Sequence, residues 1–141
     1  MKLSTKGRYG LRALVDLAIH SQEGPVALQS IAGRQRISQR YLEQLMGSLK
    51  RAGLVTSTRG VQGGYQLARD AAEISVGDVL RALEGDLRAV DCPAETGRDG
   101  CEIAGACVTR YVWKRINESI RQAVDTIWLS QLVEEGKEKQ K

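Results

Sequence analysis

The chain has 141 residues, 42% of them apolar and 27% charged, with a formal net charge of +4. This is the composition of one globular domain, or a domain with an appended arm, and it excludes a disordered polyelectrolyte. No apolar run approaches the roughly 20 residues that cross a bilayer, and no apolar stretch follows the basic start Met1-Lys2-Leu3-Ser4-Thr5-Lys6, so the expectation is a cytoplasmic protein without membrane segment or secretory signal.

In chain order, residues 5–22 read as a helix. Leu11, Leu14, Val15, Ala18 and Ile19 keep helical spacing, Ser4 or Thr5 offers an N-cap, and Glu23-Gly24-Pro25 stops the helix. A short helix fits 28–35, with Leu28, Ile31 and Ala32 inward. Ile37-Ser38 makes a turn, and Ser38 caps a further helix over 39–52 whose Tyr41, Leu42, Leu45, Met46 and Leu49 share one side. Two strands follow, 54–58 and 64–68, joined by the Gly-rich Arg59-Gly60-Val61-Gln62-Gly63. Ser75 caps a helix through Leu83, closed by Gly85. Residues 86–104 lack periodicity and read as a loop. A last long helix spans about 106–133, with Val108, Val112, Ile116, Ile120, Ala123 and Ile127 as its apolar stripe, and 134–141 is a charged tail expected to fray.

Helix, short helix, turn, helix and Gly-tipped hairpin is the order of a winged helix-turn-helix. The fold class is therefore mainly α, with a DNA-binding domain in 1–85 (helix-turn-helix about 28–51, wing about 54–68), a cysteine-bearing loop in 86–106 and a dimerisation helix in 107–133. A helix in the major groove meets base edges whose donor and acceptor pattern differs for each base pair. The outward positions of the second helix of the motif are Gln39, Arg40, Glu43, Gln44 and Lys50. Arg40 and Lys50 suit phosphate or guanine, and Gln39 and Gln44 suit adenine. Glu43 is either a filter that accepts from the cytosine amino group or a solvated helix residue. Arg59 on a thin loop suits a narrow minor groove, and a hairpin tip with no ligand is the plainer alternative.

Charge agrees with that placement. Residues 1–70 carry 11 Lys and Arg against 4 Asp and Glu, a net of +7, whereas residues 71–141 carry 10 against 13, a net of −3. A polyanion fits the first half, although an excess of this size is also carried by solvated surfaces. The stripe of the last helix is too long for a small domain to cover, so a homodimer is expected.

Cys92, Cys101 and Cys107 are the only cysteines and lie within sixteen residues. Clustered thiols in a cytoplasmic loop point to a metal or an iron–sulfur cluster rather than to disulfides. Zinc competes, without the C-x2-C pair that marks it, and redox-active or incidental thiols are the remaining reading. The single histidine, His20, lies in the first helix and reads as structural. The chain has no C-x-x-C motif, no His beside the cysteines and no phosphate loop followed by Lys-Ser/Thr, so an enzyme is not expected.

The stretches Lys6-Gly7-Arg8-Tyr9, Ile37-Ser38-Gln39-Arg40-Tyr41-Leu42-Glu43-Gln44-Leu45, Ala52-Gly53-Leu54-Val55 and Arg59-Gly60-Val61-Gln62-Gly63-Gly64-Tyr65 closely resemble IscR-type transcriptional regulators, up to about residue 133. The resemblance implies a homodimer paired through long C-terminal helices, double-stranded promoter DNA as partner, and control of iron–sulfur biogenesis genes. It implies a labile 2Fe–2S cluster on Cys92, Cys101 and Cys107, loaded by cluster donor proteins, whose occupancy changes the DNA sequences bound. The DNA-facing set it implies comprises Ser38, Gln39, Arg40, Tyr41, Glu43, Gln44, Arg59 and Gly60, with Glu43 restricting binding when the cluster is absent. The three-cysteine loop separates cluster-binding members from cluster-free regulators of cysteine metabolism. Nitrite- and nitric-oxide-responsive relatives hold a 4Fe–4S cluster with three cysteines. The chain departs from the pattern at Arg110, where these regulators carry His. Candidates for a fourth ligand are Asp91, Glu95, Asp99, Glu102, His20 and a partner-subunit group.

Overall fold

A computed structural model describes residues 2–92, 101–103 and 105–140. Helix α1 (Thr5–His20) is capped by Ser4, whose hydroxyl accepts from the Lys6 amide, and α2 (Leu28–Gln35) ends in a left-handed Arg36 with φ 55°. Helix α3 (Gln39–Arg51) opens on Ser38, whose side chain accepts from the Tyr41 amide at 3.1 Å. Leu42, Leu45, Met46 and Leu49 fall on one face of α3 and are buried against Leu14, Leu17 and Ile31. The helical spacing of these apolar residues is what turns the opposite, polar face of α3 to solvent.

Strands β1 (Val55–Thr58) and β2 (Gly64–Leu67) pair antiparallel, with Val55 opposite Leu67 and Thr58 opposite Gly64. A third segment joins the wing. Val26 and Tyr65 exchange both backbone hydrogen bonds, at 2.9 and 2.8 Å, and tie the hairpin to the lead-in of α2. Gly64 makes this possible, because a Cβ there would lie 2.2 Å from the Val26 carbonyl oxygen, and its φ of +155° suits glycine. Helix α4 (Val76–Glu84) begins with a capping box in which Ser75 and Asp78 each accept from the other's amide at 3.0 Å.

The expected helix over 106–133 is two helices, α5 (Arg110–Asp125) and α6 (Leu129–Lys139). A competing tertiary ladder breaks it. The Val76 amide donates to the Ile127 carbonyl and the Leu129 amide to the Ile74 carbonyl, both at 2.8 Å, so Trp128 runs extended beside Ser75. Leu129 and Val133 are thereby buried in the core of the first domain. Two expectations change with this. The domain does not close at residue 85, because α6 completes it, and residues 134–139 are helical rather than frayed, because Val133 anchors them. Val108 lies in a turn before α5 and is exposed, so the stripe on the helix shortens to Val112, Ile116, Ile120 and Ala123. Among the described residues no helix is long and apolar enough to cross a membrane.

Candidate nucleic-acid interface and cysteine segment

Gln39, Arg40, Glu43, Gln44 and Lys50 are all exposed on α3, as their spacing predicts. Ser38 is exposed at the helix start, and Arg59 and Gly60 are exposed at the wing tip. Lys50 donates to the Ser57 hydroxyl at 2.6 Å, joining the end of α3 to β1, so the polar row of the helix runs on into the wing. The tip turn closes through the Gly63 amide on the Gly60 carbonyl at 3.0 Å, and Gly60 has φ 113°.

Tyr41 differs from its neighbours by being half-buried. Its ring meets Tyr9 edge-on with centroids 6.3 Å apart, and its hydroxyl shares a 2.8 Å hydrogen bond with Thr5. The Arg12 guanidinium lies 5.1 Å from the centre of the Tyr9 ring and donates to Gln35 at the end of α2. A second brace is deeper. Asp16, buried on α1, accepts three hydrogen bonds from Arg34 and one from Gln35, at 2.8–3.2 Å. Helix α1 thus holds both members of the helix-turn-helix from behind. His20 contributes its Nδ1 to the Asp16 carbonyl, 2.8 Å away, which is a structural role.

Cys92, Cys101 and Cys107 are each half-buried and free. The Cys107 thiol is held below its ordinary range. The Thr109 hydroxyl, 3.3 Å from the sulfur, contributes most, followed by the amides of Thr109 and Arg110 and the Arg110 charge. Arg110 carries no acceptor and cannot ligate a metal as His does, but its charge favours the thiolate. Of the fourth-ligand candidates, Asp91 is exposed and paired with Arg88 at 3.3 Å, Glu102 is exposed, and Glu95 and Asp99 lie outside the described residues. Among the described residues no three His, Cys, Asp or Glu side chains gather as a metal site. The donor chemistry nonetheless suits a soft, thiolate-bound centre: three accessible thiols, one already biased to its anion.

Asn117 escapes a sequence reading. It is 1% exposed and is the only buried residue of α5. Its signal is positional: Asn117, Ile120 and Val124 share the row of α5 that faces the domain, with Ile120 and Val124 packed on the cluster of Val76, Leu80 and Leu87, and Asn117 is the polar member. The outer row is bare, with Tyr111 67% and Ile116 39% exposed.

The family model of Rrf2, described as iron-dependent transcriptional regulators, matches residues 3–135. This chain belongs to the Rrf2 family. It is 45% identical over 133 residues to the HTH-type transcriptional regulator IscR of Serratia proteamaculans, covering 94% of this chain and 79% of that protein. Among solved structures it is similar to T. potens IscR, with TM-score 0.76, 45% identity and coverage of 100% of this chain and 92% of that one. It is also similar to CymR, the global cysteine regulator of B. subtilis, with TM-score 0.78, 40% identity and coverage of 95% and 97%. The chain is an IscR-type transcriptional regulator of the Rrf2 family, and its mainly helical winged-helix fold is the fold of these relatives.

Proposed function

We propose that this regulator binds promoter DNA as a homodimer and that an iron–sulfur cluster, a 2Fe–2S centre, on Cys92, Cys101 and Cys107 sets its sequence preference. One observation carries the DNA reading: the exposed polar row of α3 continues through the Lys50–Ser57 contact into a wing tipped by Arg59. Gln39, Arg40, Gln44 and the hydroxyl edge of Tyr41 face base edges and phosphates, the Ser38 end of α3 approaches the backbone, and Gly60 lets Arg59 enter the minor groove. Glu43 accepts from cytosine and repels sites that lack it. The bare row of α5 supports the homodimer, since a second copy of the same face covers it. A bound cluster supplies a labile, redox-active centre. The chain contributes the thiolates, with Arg110 and Thr109 supporting that of Cys107. Occupancy of this segment biases the DNA-binding heads between arrangements of different sequence preference, and the resemblance points to iron–sulfur biogenesis genes as targets.

The decisive experiment has two parts. Protein purified without oxygen is assayed for iron, sulfide and visible absorption, then compared with the Cys92→Ala/Cys101→Ala/Cys107→Ala variant in gel shifts on a panel of promoter duplexes. Colour with stoichiometric iron, and promoter preferences that differ between the two proteins, are expected. A colourless, zinc-bearing protein, or identical preferences, refutes the cluster reading. On the DNA side, Arg59→Ala is expected to weaken binding and to lower the preference for A·T-rich sequence beneath the wing.

A further inference from the structure

Asn117 lies on α5, seven residues beyond Arg110 at the helix start. Its Oδ1 accepts from the amides of Ala89 at 2.8 Å and Val90 at 3.4 Å, and its Nδ2 donates to the Val90 carbonyl at 3.0 Å. One carboxamide thus engages a peptide unit on both sides, as a neighbouring strand does. The clasped peptide ends two residues before Cys92. The chain then returns through Cys101 and Cys107 and enters α5 at Arg110. The clasp therefore closes a loop that contains all three cysteines, and it is made by the helix whose other side bears the bare apolar row. A polar side chain at this depth is costly to leave unpaired, so the clasp fixes the Ala89–Val90 peptide on the helix beyond what the upstream Leu87 packing provides.

We propose that Asn117 is a positioning residue: it fixes the strap carrying Cys92 against α5, so that the placement of Cys92 relative to Cys107 and the exposure of the α5 face are set together. Cys92 enters the loop from the clasped peptide, whereas Cys107 is placed by its own contact with Thr109, beyond the other end of the loop. Release of the clasp frees the first thiol and leaves the second where it is. The consequence for sensing rests on the cluster reading above; the clasp itself does not.

The test uses the full chain, freed of metal by chelation, in wild-type, Asn117→Ala and Asn117→Leu forms. Leucine matches asparagine in branching and side-chain heavy-atom count and favours helix but makes no hydrogen bonds, so it fills the site without a cavity and removes the clasp. Amide hydrogen exchange at Ala89 and Val90 is expected to quicken about tenfold or more. Alkylation of Cys92 is expected to quicken with it, while Cys107 alkylation and exchange in α1–α4 stay within twofold. Unchanged exchange at Ala89 and Val90, or equal gains at Cys92 and Cys107, overturns the proposal. Lost protection throughout α1–α4 in the leucine variant does so too, because Asn117 is then a general core residue. A final arm compares the dimer dissociation constant with and without reconstituted iron–sulfur cluster. A difference in the wild type that vanishes in Asn117→Leu supports the coupling, and one that persists refutes it. Wild type that takes up no iron sinks the cluster reading and leaves the exchange and alkylation results standing.

Discussion

Helices α3 and α5 are both strongly amphipathic, yet they use their apolar sides differently. Helix α3 buries Leu42, Leu45, Met46 and Leu49 within its own chain and offers solvent a polar row. Helix α5 buries a single residue, the polar Asn117, and leaves Tyr111, Ile116 and Ala123 outside. The same periodicity thus means opposite things. In α3 the apolar face is satisfied and the polar side is the one we propose for DNA; in α5 the outer apolar row is left bare, and it is the face we propose for a second copy.

Substitutions can break this contrast. The largest effect on stability is expected from Gly64→Ala, which forces a Cβ onto the Val26 carbonyl and a side chain into a left-handed backbone. It should cost about 3 kcal/mol in chemical denaturation and abolish DNA binding by displacing the wing. Asp16→Ala removes the carboxylate that gathers Arg34 and Gln35. The expected loss is about 2 kcal/mol, below the value for a fully buried pair because Arg34 is 37% exposed and regains water.

The seam between α4 and α5 should respond to acid. Arg81 grips Asp125 through two hydrogen bonds at 2.7 and 2.9 Å, and this hydrogen bonding holds the Asp125 carboxyl below its ordinary range. A carboxyl depressed in the folded state stabilises the fold above its unfolded pKa, and that contribution is lost as pH falls through the folded one. Both side chains are 39% exposed, so the loss is limited to about 1 kcal/mol or less. Denaturation titrations at descending pH should show it in wild type and not in Asp125→Asn. Ile116→Glu sharpens the contrast from the other side. It is expected to leave stability within about 0.5 kcal/mol, as surface changes do, while sedimentation shifts to monomer. A wild-type protein that is monomeric at micromolar concentration contradicts the role given to the α5 face.

The first half of the fold was legible because its signals are local. Ser38 and Ser75 cap the helices they precede, the apolar spacing of α3 names its buried face, and Gly60, Gly63 and Gly64 mark the wing. The features that escaped are those settled across the chain. Nothing local to Trp128 forbids a helix, and its pairing with Ser75 is what draws it out. Val26 joins the wing because glycine at position 64 lets two backbones approach. The exposed α3 residues were legible as candidates, and spacing put Tyr41 on the apolar side of the helix, but its contacts with Tyr9 and Thr5, more than thirty residues away, were not legible. Glu95 and Asp99, two of the acidic candidates for a fourth ligand, fall outside the described residues.

The short link between α5 and α6 carries a mechanical consequence. Because the backbone rejoins α4 at Val76 and sinks Leu129 into the core, α5 is not a free arm swinging from the head. It is a strut pinned at its far end by this ladder and near its middle by Asn117. Such a strut cannot swing away without breaking the ladder or the clasp, so a force applied along it reaches α4 and, through α4, the packing beneath α3.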